Sequence, residues 1–451
     1  KGATQTRSVG NPATTVQVSA GWGLMQYNIS DFNGKMVEVR FHLDSDGTGQ
    51  FGGLAIDDVS VTSCNAAPAS PLIISEFRVR GLNGASDEFV EIYNNGNTSF
   101  TVSPFDGSAG FALAASDGVT RFVIPSGTTI PARGHFLGVN SVGYSISGYP
   151  AGNGTTATGD ALYTAEIADN AGIALFNTAN PGNFVLANRL DAVGSTSEAN
   201  TLYKEGAGYP ALTVLSIDYS FYRDLCGKGG STTTLGACPT AGLPKDTDNN
   251  AVDFVFVDPS GTNAGVGQRL GAPGPENLSS PIQRNSTFGF FNLDTTVGAS
   301  QPPNRIRVFT SDPANNSTFG TLSLRKRIVN NTGANVTRLR FRIIDMTTLP
   351  APSGFADLRA RTSTQVVVPN VNDAATCSPA LAPCTVIVEG TTLEQPPSQT
   401  NGGGGFNSSL SAGTVTLGTP LPPGFSLELQ FLLGIQQTGT FKFFINVEAL
   451  P

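Results

Sequence analysis

The sequence predicts an all-β fold built as tandem β-sandwiches, on three observations. Short runs rich in β-branched and aromatic residues recur along the whole chain between Gly, Pro and Asn turns. Glycine (53) and proline (29) interrupt it too often for long regular elements. No amphipathic helical pattern extends beyond two turns. A hydrophobic content of 39% is enough to build cores, and 451 residues leave room for about two to four domains.

Taken in order, residues 36–44 (MVEVRFHLD) form the first clear strand. Val37, Val39, Phe41 and Leu43 share one face, and Glu38, Arg40, His42 and Asp44 the other. A Gly-rich turn follows, then a second strand, LAIDDVSVTSC, which completes a first region at residues 1–64. NAAPASP (65–71) reads as a linker. From 72 to 280 strands recur between turns, ending in the breaker-rich GAPGPENLSSP. A third region, 281–451, carries strands at RIRVF, TLSLRKRIV, TRLRFRII, CTVIVEG, FSLELQFLLGI and TFKFFINVEAL. In TRLRFRII, Leu339, Phe341 and Ile343 read as core, and Arg338, Arg340 and Arg342 as outward-facing. The Gly-rich SQTNGGGGFNSS (398–409) reads as a flexible loop.

Charge and composition exclude several functions. Charged residues make up only 13% and the net charge is −8, so a nucleic-acid partner is not expected. The apolar run FSLELQFLLGI is too short and too polar to span a bilayer. No signal peptide is visible, as expected if the chain begins inside a domain. Two histidines, His42 and His135, and the lack of a Gly-x-Ser-x-Gly elbow argue against nucleophilic catalysis. The GGGG run lacks the Lys of a phosphate loop. Trp22, the only tryptophan, offers a sugar-stacking surface or a core residue. Sequons at Asn97, Asn285, Asn316, Asn335 and Asn407 are as frequent as chance allows in so Asn- and Thr-rich a chain.

Two constellations merit weighing. Asp87, Glu88 and Glu91 lie in DEFVEIYNNG, but Glu88 and Glu91 point to opposite faces of a strand, so they do not converge as catalytic carboxylates must. Asp44, Asp46, Asp57 and Asp58 supply hard oxygens around an Asp-x-Asp-Gly turn. They fit either a calcium site or an acidic turn beside a solvated strand edge. Calcium is the one candidate cofactor. Of five cysteines, Cys226 with Cys238 and Cys377 with Cys384 bracket short loops at spacings unsuited to zinc. They read as disulfides of an oxidising, extracellular setting, leaving Cys64 without a partner in the chain.

IISEF (73–77), DEFVEIYNNG (87–96) and IPSGTTIPARGHFLGV (124–139) resemble the lamin-tail domain, and AGIALFN, RLDAVG, SFYR and APGPEN follow in its order. The resemblance covers about 200 residues and implies an immunoglobulin-like sandwich over 72–280 in which the acids belong to the framework. CGKGGSTTTLGACP (226–239) departs from it as an insertion. The stretch up to LAIDDVSV (54–61) resembles the end of a MAM-like or carbohydrate-binding jelly roll. That implies a partial jelly roll over 1–64, with 281–451 as a C-terminal sandwich of no named family. In related jelly rolls an Asp near the last strand often binds structural calcium.

The resulting expectation is a non-catalytic, secreted bacterial surface protein of structural or adhesive role, a candidate subunit of a self-assembling fibre. The alternative is a set of accessory domains of a larger secreted hydrolase whose catalytic part lies upstream. Expected partners are surface carbohydrate and other copies of the chain, joined by strand pairing. The strand TFKFFINVEAL either completes its own sandwich or donates itself to a neighbour.

Overall fold

The computed structural model describes residues 3–7, 14–18, 70–150, 157–225, 243–265, 267, 269–397 and 402–450. Asp44, Asp46, Asp57, Asp58, His42, Trp22, Cys64, Cys226 and Cys238 lie outside them. The chain divides into two compact units, Lys1–Ser63 and Cys64–Pro451. In the first, strands Ala3–Arg7 and Thr14–Val18 pair antiparallel.

The second unit is built from sheets, and the few helices are one turn long. A six-stranded sheet runs, edge to edge, Ala161–Tyr163, His135–Asn140, Phe89–Asn94, Leu72–Arg78, Ser220–Arg223 and Phe254–Val257. It packs on a four-stranded sheet of Arg189–Val193, Ile173–Phe176, Gly110–Ala115 and Thr120–Pro125. Leu72, Ile74, Phe77, Val90, Ile92 and Phe136 fill the core between them with Phe111, Leu113, Phe122 and Ile173. This is the alternation expected of a sandwich, each strand giving every second side chain to the core.

Two five-stranded sheets make a second sandwich. One is ordered Ile282–Gln283, Phe443–Leu450, Arg338–Met346, Ser409–Ser411 and Thr392–Gln395. The other is ordered Phe288–Asn292, Thr321–Asn330, Ser426–Gln437 and Asp357–Arg361, with Arg305–Val308 also pairing with Thr321–Asn330. Their core centres on Leu339, Phe341, Ile343, Leu429, Phe431 and Val447. The C-terminal strand lies inside its own sheet, between Ile282–Gln283 and Arg338–Met346, and so completes its own sandwich. Among the described residues no helix is long and apolar enough to cross a membrane.

Cys377, in the connection that follows the strand Val366–Val371, forms a disulfide with Cys384 at the start of the paired strand Cys384–Val388, over a small core of Leu293, Val368, Val371 and Val388. The loop it closes spans a separation of only 7 residues. Replacing both cysteines by serine should therefore lower stability by about 2–3 kcal/mol, the loop-closure entropy returned to the unfolded chain. Urea unfolding of the double variant checks this; an unchanged midpoint would mean the bridge constrains nothing.

Candidate functional site

Both faces of the six-stranded sheet are covered. Its inner face meets the four-stranded sheet, while part of its outer face meets the second sandwich. Along Phe89–Asn94 this splits the side chains by parity. Val90 and Ile92 enter the core, and Glu91 and Tyr93 face the other way. Cross-strand pairing sets Glu76 beside Glu91 and His135 beside Tyr93, so the outer face gathers two carboxylates and an imidazole. The Tyr93 and His135 rings lie 4.9 Å apart.

Three further segments cap this patch. The 272–277 segment crosses it, with Gly274 N–H donating to Glu76 Oε1 (2.8 Å) and Glu276 N–H to Glu91 Oε2 (2.7 Å). A Cβ on Gly274 would lie 2.2 Å from Arg342 Nη1, so a side chain there would force that guanidinium to shift. The strand Arg338–Met346 then brings Arg340 and Arg342, and the strand Phe443–Leu450 brings Glu448 opposite Arg340 in register. Glu448 accepts from Arg340 Nε (2.7 Å) and from Arg342 Nε (2.8 Å). Glu276 Oε1 is in contact with the Arg340 guanidinium and lies 3.2 Å from Arg342 Nη2. Lastly, Asn407 donates to Glu76 Oε2 (3.0 Å) and accepts from Arg342 Nη1 (3.0 Å).

The outward reading of Arg340 and Arg342 is therefore corrected. They do point away from their own core, but the first sandwich covers them, leaving Arg340 fully buried. The flexible-loop reading of the glycine tract also fails over its described part. Residues 403–409 are buried, and Gly404 bridges Ala360. A side chain at Gly405 would strike the Leu270 carbonyl, so the missing Cβ atoms here allow backbone to pack on backbone.

The three acids of DEFVEIYNNG go to three places. Asp87 is ion-paired with Arg78 and accepts from the Ser145 and Asn83 backbone N–H groups. Glu88 accepts from Asn140 Nδ2 (2.9 Å) and Ile167 N–H (2.6 Å). Glu91 accepts from the Ser75 hydroxyl and the Glu276 N–H. Such bonds tie strands and loops to one another.

Burial dominates the electrostatics. It raises Glu76, and together with the neighbouring Glu76 charge it holds Glu91 well above the usual carboxylate range. It pushes Glu88 up to about 7 and depresses the His135 imidazole to about 3. Burial also opposes ionisation of Glu448, but Arg340 and Arg342 outweigh it and hold that carboxyl at about 2. A cavity of about 70 Å³ remains among these groups, lined by Glu76, Glu91, His135, Glu276, Arg342 and Glu448 with their neighbours.

Two groups of described side chains each bring three possible metal-ligand atoms within 4.8 Å of one another. They are Glu91, His135 and Glu276 at this seam, and Asp191, Glu205 and Asp246 beside Arg223. Sequence reasoning passed over Glu276, Arg340, Arg342 and Glu448. The one available signal was opposite charge on two strands, Arg340 and Arg342 against Glu448, that a register would bring together.

Fold and site together define a tandem β-sandwich protein whose sandwiches meet along a buried ionic seam. No family model matches the chain, and comparison with curated proteins gives no match. Among solved structures, a DUF4876 family protein from Bacteroides thetaiotaomicron is similar over 42% of this chain and 71% of that one, at 12% identity and a TM-score of 0.27. A likeness at that level carries no argument about fold or function.

Proposed function

We propose that this chain is a non-catalytic extracellular β-protein with a structural or adhesive role at a bacterial surface, and a subunit that associates with its own copies. The observation that carries the reading is the seam itself. Arginines and backbone N–H groups hold its carboxylates and fasten one sandwich to the other, as in a part built to keep its shape. The remaining cavity, about 70 Å³, has room for a few waters or a small ion, far below the few hundred Å³ of a typical ligand site. The Cys377–Cys384 disulfide is in keeping with an oxidising compartment. On this reading the 72–280 sandwich is of the lamin-tail type.

Because the C-terminal strand is already paired within its own sheet, association uses other edges, with the N-terminal region as the foremost candidate. The test has two arms on the full chain. No turnover of nuclease, esterase or glycosidase substrates is expected, and hydrolysis that disappears in Glu91→Ala would overturn the non-catalytic reading. Light scattering and electron microscopy should show concentration-dependent assemblies. A monodisperse monomer at high concentration, without fibres, would remove the assembly role.

A further inference from the structure

We propose that the seam binds one divalent transition-metal ion of the zinc class, held by His135, Glu91 and Glu276. Three observations converge on it. The first is geometric. His135 Nε2 lies 3.2 Å from Glu276 Oε2 and 3.9 Å from Glu91 Oε1, and all three ligand atoms fall within 4.8 Å of one another. Ligands at zinc bond lengths in a tetrahedral site stand roughly 3.3–3.5 Å apart, so the His135–Glu276 spacing already fits and Glu91 has to close in on it.

The second observation is the division of labour on each carboxylate. Both arginines approach Glu276 through Oε1, leaving Oε2 turned toward the imidazole. Glu91 Oε2 takes the Glu276 N–H and Oε1 takes the Ser75 hydroxyl, and an oxygen with one hydrogen bond keeps a lone pair for a metal. A mixed nitrogen and carboxylate set of this kind suits zinc better than calcium, which prefers oxygen alone.

The third is charge. Four buried carboxylates, Glu76, Glu91, Glu276 and Glu448, share the seam with the guanidiniums of Arg340 and Arg342, while Arg223, which lines the same cavity, is paired with Asp191. Two guanidiniums can match only two of these four groups in ionised form, and one divalent ion would match the other two, since buried charge is costly unless matched. Glu91, His135 and Glu276 also line the same cavity of about 70 Å³, which leaves a fourth coordination position open. The ion would tie the strands Phe89–Asn94 and His135–Asn140 to the 272–277 segment beneath the second sandwich.

The inference stands apart from the assembly proposal, because metal binding is read on the chain whatever its association state. Chelator-treated full chain is titrated with zinc chloride by calorimetry, and its metal content is measured after gel filtration. A single tight equivalent is expected, with a rise in melting temperature, since binding to the folded state alone stabilises it. His135→Phe, which keeps a ring against Tyr93, should lose that equivalent while Asp246→Asn keeps it. Should His135→Phe fail to fold, cobalt substitution of the wild type decides, with strong visible absorption expected from a four-coordinate ion. Absence of binding, binding unchanged in His135→Phe, or a six-coordinate cobalt spectrum would each overturn the site.

Discussion

Glu448→Ala is expected to lower the stability of the chain by about 3–5 kcal/mol, the usual cost of removing one partner from a buried ion pair. Glu448 is 5% exposed and accepts from Arg340 and Arg342 of the strand beside it, so its loss leaves Arg340 with Glu276 as its main counterion. Arg340→Met combined with Glu448→Ala should cost less than the two single losses added together. The double variant removes both charges of the pair and leaves Arg342 with Glu276, and coupled neighbours typically differ from additivity by about 0.5–3 kcal/mol. Guanidinium unfolding of the four proteins completes the cycle. If the two sandwiches unfold as one unit, the denaturant slope should stay constant while the midpoint falls. Strict additivity would show that the pair contributes nothing as a pair.

The same strand shows where sequence reading stops. The alternation of Leu339, Phe341 and Ile343 identified the core face correctly, because burial in one's own sandwich imposes a period of two. What covers the opposite face depends on a second sheet far away in sequence, about which local periodicity is silent. Arg340 and Arg342 look the same to sequence whether they meet water or Glu276 and Glu448. DEFVEIYNNG was more legible. Its parity put Glu88 and Glu91 on opposite faces, and their separate hydrogen-bond partners follow that split. His135 entered the sequence reading only as one of two histidines, because nothing local links it to Glu276, more than a hundred residues away in sequence. The glycine tract was misjudged for a related reason, since a run without side chains serves as loop or as packing surface depending on what lies against it. Residues fixed by local alternation could be read, and residues fixed by the meeting of two sandwiches could not.

Glu205→Gln is expected to stabilise the folded chain, increasingly so as pH rises. Glu205 follows the turn Thr201–Tyr203 and is buried, with Oε1 accepting from Arg189 Nη2 at 3.2 Å. Its Oε2 and the Asp191 Oδ1 are both buried without hydrogen-bond partners, and each of the two carboxyls has an oxygen within 4.8 Å of the other's. Burial first, and then the Asp191 charge, push the Glu205 carboxyl up to about 9. An acid raised in this way contributes fully below its unfolded value of 4.5, and that contribution is lost as pH climbs through about 9. Within that window the folded chain holds a proton the unfolded chain has released, so stability falls by about 1.4 kcal/mol per pH unit, roughly 3–4 kcal/mol by neutral pH. Asp246, raised to about 6, adds to the slope at the acid end, but it is present in both proteins and largely drops out of their difference. Glutamine keeps an acceptor for Arg189 and has no proton to take up on folding, so the variant lacks this pH dependence. Denaturation of wild type and variant should therefore coincide near pH 4.5 and diverge steadily toward pH 8, with the variant the more stable. A gap that stays constant with pH, or that favours the wild type at pH 8, would show that Glu205 is ionised and already compensated in the fold.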